Sequence, residues 1–147
     1  NSLVLIAPTG EQHVPVRSLA DLAKSTTGRV AISNPDTVPV GRYTKGALQA
    51  KGLWPAIQPK MISTQNVRQS LDYVARGEVD AGFVYATDAR LMANKIRVLE
   101  TVATTEPITY PIAVVRSTKQ AGPAGDFVAF VGSPPAQQIL KFFGFQQ

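Results

Sequence analysis

The sequence predicts an α/β fold. Short apolar runs edged by Gly, Pro or polar residues alternate with stretches whose apolar residues recur every three or four positions, the pattern of an open sheet covered by helices. Strands are expected at residues 3–7, 30–33, 61–63, 81–84, 96–99 and 112–115. A first helix should start at Ser18 as N-cap, carry Leu19, Leu22 and Ala23, and stop before Gly28. A second follows Asn34-Pro35-Asp36-Thr37-Val38-Pro39, continues through Tyr43, Ala47 and Leu48, and ends near Lys51-Gly52, where a basic residue suits the negative end of the helix dipole. A third begins at Asn66-Val67 with Val67, Leu71 and Val74 on one face and breaks at Gly77; Arg68 and Asp72, four apart, are placed to pair. Thr87 or Asp88 should cap a short fourth helix bearing Ala89, Leu91 and Met92. Two further helices are expected, one over 123–131 with Phe127 and Phe130, and one opened by Ser133-Pro134-Pro135 that runs through Ile139, Leu140 and Phe143 to Gly144.

The 147 residues are 44% hydrophobic and 17% charged, the composition of an ordinary globular domain, and no apolar run approaches the roughly 18 residues of a membrane-spanning helix. With no cysteine there is no disulfide scaffold, thiolate metal site or cysteine nucleophile, and the lone His13 is too little for a catalytic zinc centre. The absence of cysteine leaves the redox compartment open. Asn1 in place of a methionine suggests a mature product or a fragment. Fifteen Lys and Arg against ten Asp and Glu give a net charge of +5, but the basic residues are scattered singly with no aromatic ladder between them, which argues for a solvated basic surface and against nucleic-acid binding.

Catalytic constellations are missing. There is no Walker-type loop, G-x-G-x-x-G, G-x-S-x-G or H-E-x-x-H pattern, and in 41–46 the two glycines are followed by Ala47 and Leu48 where a phosphate loop needs Lys and Ser or Thr. Glu78 and Asp80 precede a strand without a partner base and are expected to be solvated. The chain is not read as an enzyme.

Helix starts after strand ends are the notable feature. Each presents amide N–H groups without intrahelical acceptors and a partial positive charge, so several together can hold an anion without Lys or Arg. The turn at Val38-Pro39-Val40-Gly41 offers the amides of Val40 and Gly41, because Pro39 has no donor; Thr64-Gln65-Asn66-Val67 is a second such start. Tyr85, just past the strand Ala81-Gly82-Phe83-Val84, could add a phenol at the same sheet edge. Each also has an ordinary structural explanation, since every helix has a start and a Tyr beside a strand commonly packs.

The segments Ser33-Asn34-Pro35-Asp36-Thr37-Val38-Pro39-Val40-Gly41-Arg42-Tyr43, Asn66-Val67-Arg68 and Gly82-Phe83-Val84-Tyr85-Ala86-Thr87-Asp88-Ala89 resemble the periplasmic molybdate-binding proteins of ABC importers, as do residues 1–8, 110–115 and 142–145. The resemblance implies a type II periplasmic binding protein fold in which two lobes close on a tetrahedral oxyanion, molybdate or tungstate, held by neutral donors with no cofactor and no directly coordinated metal. It maps backbone donors to Val40, where many members have alanine, and to Val67, and the phenol to Tyr85. It further implies a periplasmic location and a membrane permease as partner. Family members carry an additional N-terminal segment that builds most of the first lobe. On this comparison, residues 1–105 are expected to be the second lobe with a crossover strand, and 106–147 a return to an incomplete first lobe. Ile112, Val114, Phe127, Phe130, Ile139 and Phe143 should then expose an apolar face suited to self-association or to a complementary N-terminal fragment. The alternatives are a sulfate- or phosphate-binding protein, or the effector domain of a LysR-like transcription regulator, which shares the architecture.

Overall fold

The computed structural model describes residues 1–10, 16–24 and 26–145; His13 lies outside them. The chain divides into two compact units, Ser2–Ile108 and Thr109–Gln147, the latter joined by Asn1. In the larger unit five strands, β1 (Leu3–Pro8), β2 (Val30–Ser33), β3 (Met61–Thr64), β4 (Ala81–Tyr85) and β5 (Ile96–Val102), form one sheet in the order β3-β2-β4-β1-β5. β2 runs parallel to β3 and β4, whereas β1 is antiparallel to β4 and β5.

Helices cover both faces, so the inner strands β1, β2 and β4 are buried on both sides and read as near-continuous apolar runs, whereas the edge strands β3 and β5 are partly exposed and carry polar residues. Leu3, Leu5, Ile32 and Phe83 face a core closed by α1 (Pro39–Ala50), α2 (Trp54–Ile57) and a 3-10 helix at Leu19–Ala23. Val4, Ile6, Ala31 and Val84 face a second core closed by α3 (Val67–Ala75) and α4 (Ala86–Ala89). The crossover from β2 to β3 carries α1 on one face, and that from β3 to β4 carries α3 on the other. The strand order therefore reverses direction beside β2, which is where open α/β sheets form a crevice.

Local chemistry explains the boundaries. Pro39 starts α1 at a position where no donor is needed, and Gly52, at φ 69°, turns the chain beyond its end. Asn66 caps α3 by accepting from the Gln69 amide, and Gly77, also at φ 69°, follows the helix. Between Ser33 and α1, the Asn34 side chain accepts from the Asp36 amide at 2.9 Å, an Asx turn that swings the chain back over the sheet edge.

Several expectations are corrected. The first helix is only a five-residue 3-10 turn, and α2, whose Pro55 sits in its first turn, was not anticipated. Neither Thr87 nor Asp88 caps α4: the N-cap is Tyr85, and both residues lie inside the helix. Asp80 is not a solvated carboxylate, because Oδ2 accepts from the amides of Gly28 at 2.7 Å and Arg29 at 3.1 Å, tying the start of β2 to β4.

In the smaller unit α5 (Ala121–Gly132) and α6 (Pro134–Phe142) appear as expected, but residues 112–115 form no strand. A strand is a paired object, and among the described residues of this unit no other extended segment offers it a ladder. Ile112, Val114, Phe127, Phe130, Ile139 and Phe143 are all exposed. Tyr110 accepts a hydrogen bond from Asn1 Nδ2 at 2.8 Å and packs edge-to-face on Phe145.

Helix α1 approaches β2 closely at Gly41, where a Cβ would stand 2.1 Å from the Ser33 carbonyl oxygen. Gly41→Ala should therefore cost about 1–3 kcal/mol through displacement of the α1 start, read as a lowered urea midpoint; an unchanged midpoint would show that the contact relaxes freely.

Candidate functional site

Because β2 lies between β3 and β4 and runs parallel to both, the C-terminal ends of the three strands share one sheet edge. That edge receives the start of α1 after β2, the start of α3 after β3, and Tyr85 at the end of β4. Val40, Val67 and Tyr85 are thus brought to the same side of the larger unit, and all three pack on the core that lies beneath α1.

The Val40 side chain is buried, and its amide is the first that α1 can offer, since Pro39 has no N–H and the Gly41 and Arg42 amides both bond to the Val38 carbonyl, at 3.0 and 3.2 Å. Sequence reasoning paired Gly41 with Val40 as a donor; the structure turns the Gly41 amide inward to Val38. At α3, the Gln69 amide is taken by the Asn66 side chain and the Ser70 amide by the Asn66 carbonyl, leaving the amides of Val67 and Arg68 with no intrahelical acceptor. Tyr85 is partly exposed and lies opposite Leu3 in the β1–β4 ladder.

Charge at this edge is balanced. Arg68 Nε donates to Asp88 Oδ1 at 2.7 Å, so α3 is tied to the segment after Tyr85; the expected Arg68–Asp72 pair gives way to it. The preference is physical. An exposed pair four residues apart on a helix is worth a few tenths of a kcal/mol, whereas the Asp88 side chain is only 10% exposed and needs a partner. Burial pushes the Asp88 carboxyl above its ordinary value of 3.8, and the Arg68 charge and hydrogen bond pull it back down.

Residues missed in the sequence lie directly beneath the site. The hydroxyls of Ser33, Thr64 and Ser70, all buried, bond to one another at the ends of β2 and β3 and in the first turns of α3. Small polar residues at consecutive strand ends were the available signal, but their convergence depends on the β2–β3 register, in which Ser33 faces Thr64. Among the described residues no group of three or more His, Cys, Asp and Glu is arranged to hold a metal ion.

A five-stranded sheet of this order, with β1 antiparallel between β4 and β5 and helix starts gathered at one edge, is the architecture of type II periplasmic binding proteins, and solved structures of that class superpose on it. The chain belongs to the bacterial extracellular solute-binding protein family, which it matches over residues 1–146; such proteins capture solutes and are not enzymes. It is 36% identical over 147 residues to YvgL of Bacillus subtilis, described as an ABC transporter substrate-binding lipoprotein, and 33% identical over 150 residues to the molybdate-binding protein ModA of Escherichia coli. Each alignment takes in 99% of this chain, but only 55% and 58% of those relatives, so the chain spans little more than half their length. A substrate-binding domain assigned to a molybdenum ABC transporter of Clostridium difficile superposes with a TM-score of 0.82 at 31% identity, over 100% of this chain and 63% of that one. These relatives do not favour the sulfate, phosphate or transcription-regulator alternatives.

Since the folded pKa of Asp88 exceeds the unfolded one, its stabilising contribution is complete below pH 3.8 and is lost as pH rises through the folded value. Arg68→Ala removes the opposing influence and should move the Asp88 titration further up, as read by carboxyl carbon NMR; a downward move would contradict the assignment of causes.

Proposed function

We propose that this chain is the anion-binding part of an ABC importer's solute-binding protein, and that its ligand is molybdate or tungstate. The observation that carries the reading is the gathering of two helix starts and a tyrosine at one sheet edge, in a chain whose relatives include molybdate-binding proteins. In this reading the amides of Val40 and Val67 and the hydroxyl of Tyr85 replace part of the water shell of a tetrahedral dianion. Neutral dipoles suffice because each helix start adds partial positive charge, and without a salt bridge the anion is released when the site opens. Selection against sulfate follows from spacing, since donors set for a larger anion cannot all reach a smaller one, and protonated phosphate would want an acceptor.

Residues 1–105 are proposed as one lobe and 106–147 as part of another, in a periplasmic protein that delivers its anion to a membrane permease. The exposed Phe127, Phe130, Phe142 and Phe143 are then a lobe interior awaiting a complementary segment or a second copy of the chain.

The test is isothermal titration calorimetry on the protein expressed from its complete coding sequence. Molybdate and tungstate should bind more tightly than sulfate, and the reverse order would overturn the reading. Tyr85→Phe, which removes one donor to a charged ligand, should weaken molybdate binding about tenfold or more. The 147-residue chain alone should bind weakly, because three donors do not enclose an oxyanion, and should self-associate in light scattering. Tight binding would refute the first expectation and a monodisperse monomer the second.

A further inference from the structure

We infer that the buried hydroxyls of Ser33, Thr64 and Ser70 form a positioning cluster that fixes the separation of the two helix starts, and through it the size of anion accepted. The inference rests on the anion-binding reading above and adds to it the residues that set selectivity.

The cluster is compact: Thr64 Oγ1 lies 2.6 Å from Ser70 Oγ and 3.0 Å from Ser33 Oγ, and the two serine oxygens are 3.2 Å apart. The three residues are 0–1% exposed. Apolar residues of similar volume would fill this junction without the cost of removing three hydroxyls from water, so close packing alone does not account for them. What the hydroxyls add is direction. Thr64 Oγ1 also donates to the Asn66 carbonyl at 3.3 Å. With Ser33 and Ser70 donating to Thr64, and Thr64 to Asn66, every hydroxyl proton is used once.

The acceptor matters because the Asn66 carbonyl belongs to the same planar peptide as the Val67 amide. In a trans peptide C=O and N–H point in opposite directions, so holding one aims the other. The Ser70 amide holds the same carbonyl at 3.3 Å. Thr64 thereby fixes the line along which Val67 N–H leaves α3.

The other helix start is seated on the same residue of β2. The Ser33 carbonyl lies so close to Gly41 that no Cβ fits between them. Ser33 therefore supports the start of α1 through its backbone and the start of α3 through its side chain, coupling the Val40 and Val67 amides across one residue. Donors pinned in this way cannot draw together around a smaller anion, which converts rigidity into discrimination.

The experiment compares Thr64→Val, nearly isosteric but without the hydroxyl, with Thr64→Ser, which keeps it, in the protein expressed from its complete coding sequence. The readouts are the ratio of molybdate to sulfate affinity by calorimetry and the nitrogen and proton shifts of the Val67 amide by NMR. Thr64→Val should lower the ratio about tenfold and move the Val67 amide resonance, and Thr64→Ser should restore both. Ile57→Val, in the core away from the sheet edge, should lower Tm and leave the ratio alone. If Thr64→Val does not fold, Ser70→Ala is read in the same way. A lowered Tm with unmoved ratio and unmoved Val67 amide overturns this inference alone. Failure of the unmutated protein to bind either anion overturns the anion-binding reading and this inference with it.

Discussion

The parallel pairing of β2 with both β3 and β4 is the constraint from which the site descends. Parallel neighbours must be joined by crossovers, and each crossover returns the chain to the same end of the sheet, so the helices that follow β2 and β3 begin at a shared edge. The two crossovers lie on opposite faces: the one carrying α1 leaves β2 for β3, and the one carrying α3 returns from β3 across β2 to β4. β1, inserted antiparallel between β4 and β5, is buried over all six residues and gives that edge a rigid base. Removing the parallel register would scatter the same residues over two ends of the sheet.

Such an edge is polar without being strongly charged. Its donors are amides that helix geometry leaves unused, and the nearest cation on α3, Arg68, is committed to the buried carboxylate of Asp88. The net charge of +5 is thus a poor guide to how an anion would be held. Dipoles fixed by backbone and packing need no reorganisation when a ligand arrives, and they impose geometry that a flexible lysine would not.

The smaller unit follows a different logic. Its two helices form where their signals lie, in the prolines after Ser133 and in Gly144, which adopts φ 93° beyond α6. Yet Phe127, Phe130 and Phe143 remain in solvent. Helices satisfy their own backbone and can form beside an unfilled core, whereas a strand cannot, and residues 112–115 accordingly stay irregular. Apolar character was readable there; pairing was not.

The sequence by itself determined the α/β class, five of the strands, and the starts of α1 and α3, because period, Pro39, Asn66 and the glycines act over a few residues. The identities of Val40, Val67 and Tyr85 as residues of one edge were likewise legible in motif and spacing. Only the tertiary structure decided that Arg68 turns to Asp88 and not Asp72, that Asp80 closes the start of β2, and that Ser33, Thr64 and Ser70 meet. Those partners lie 20 to 52 residues apart, apart from the Thr64–Ser70 contact, and distances of that kind are set by strand register and helix docking, which no local propensity encodes.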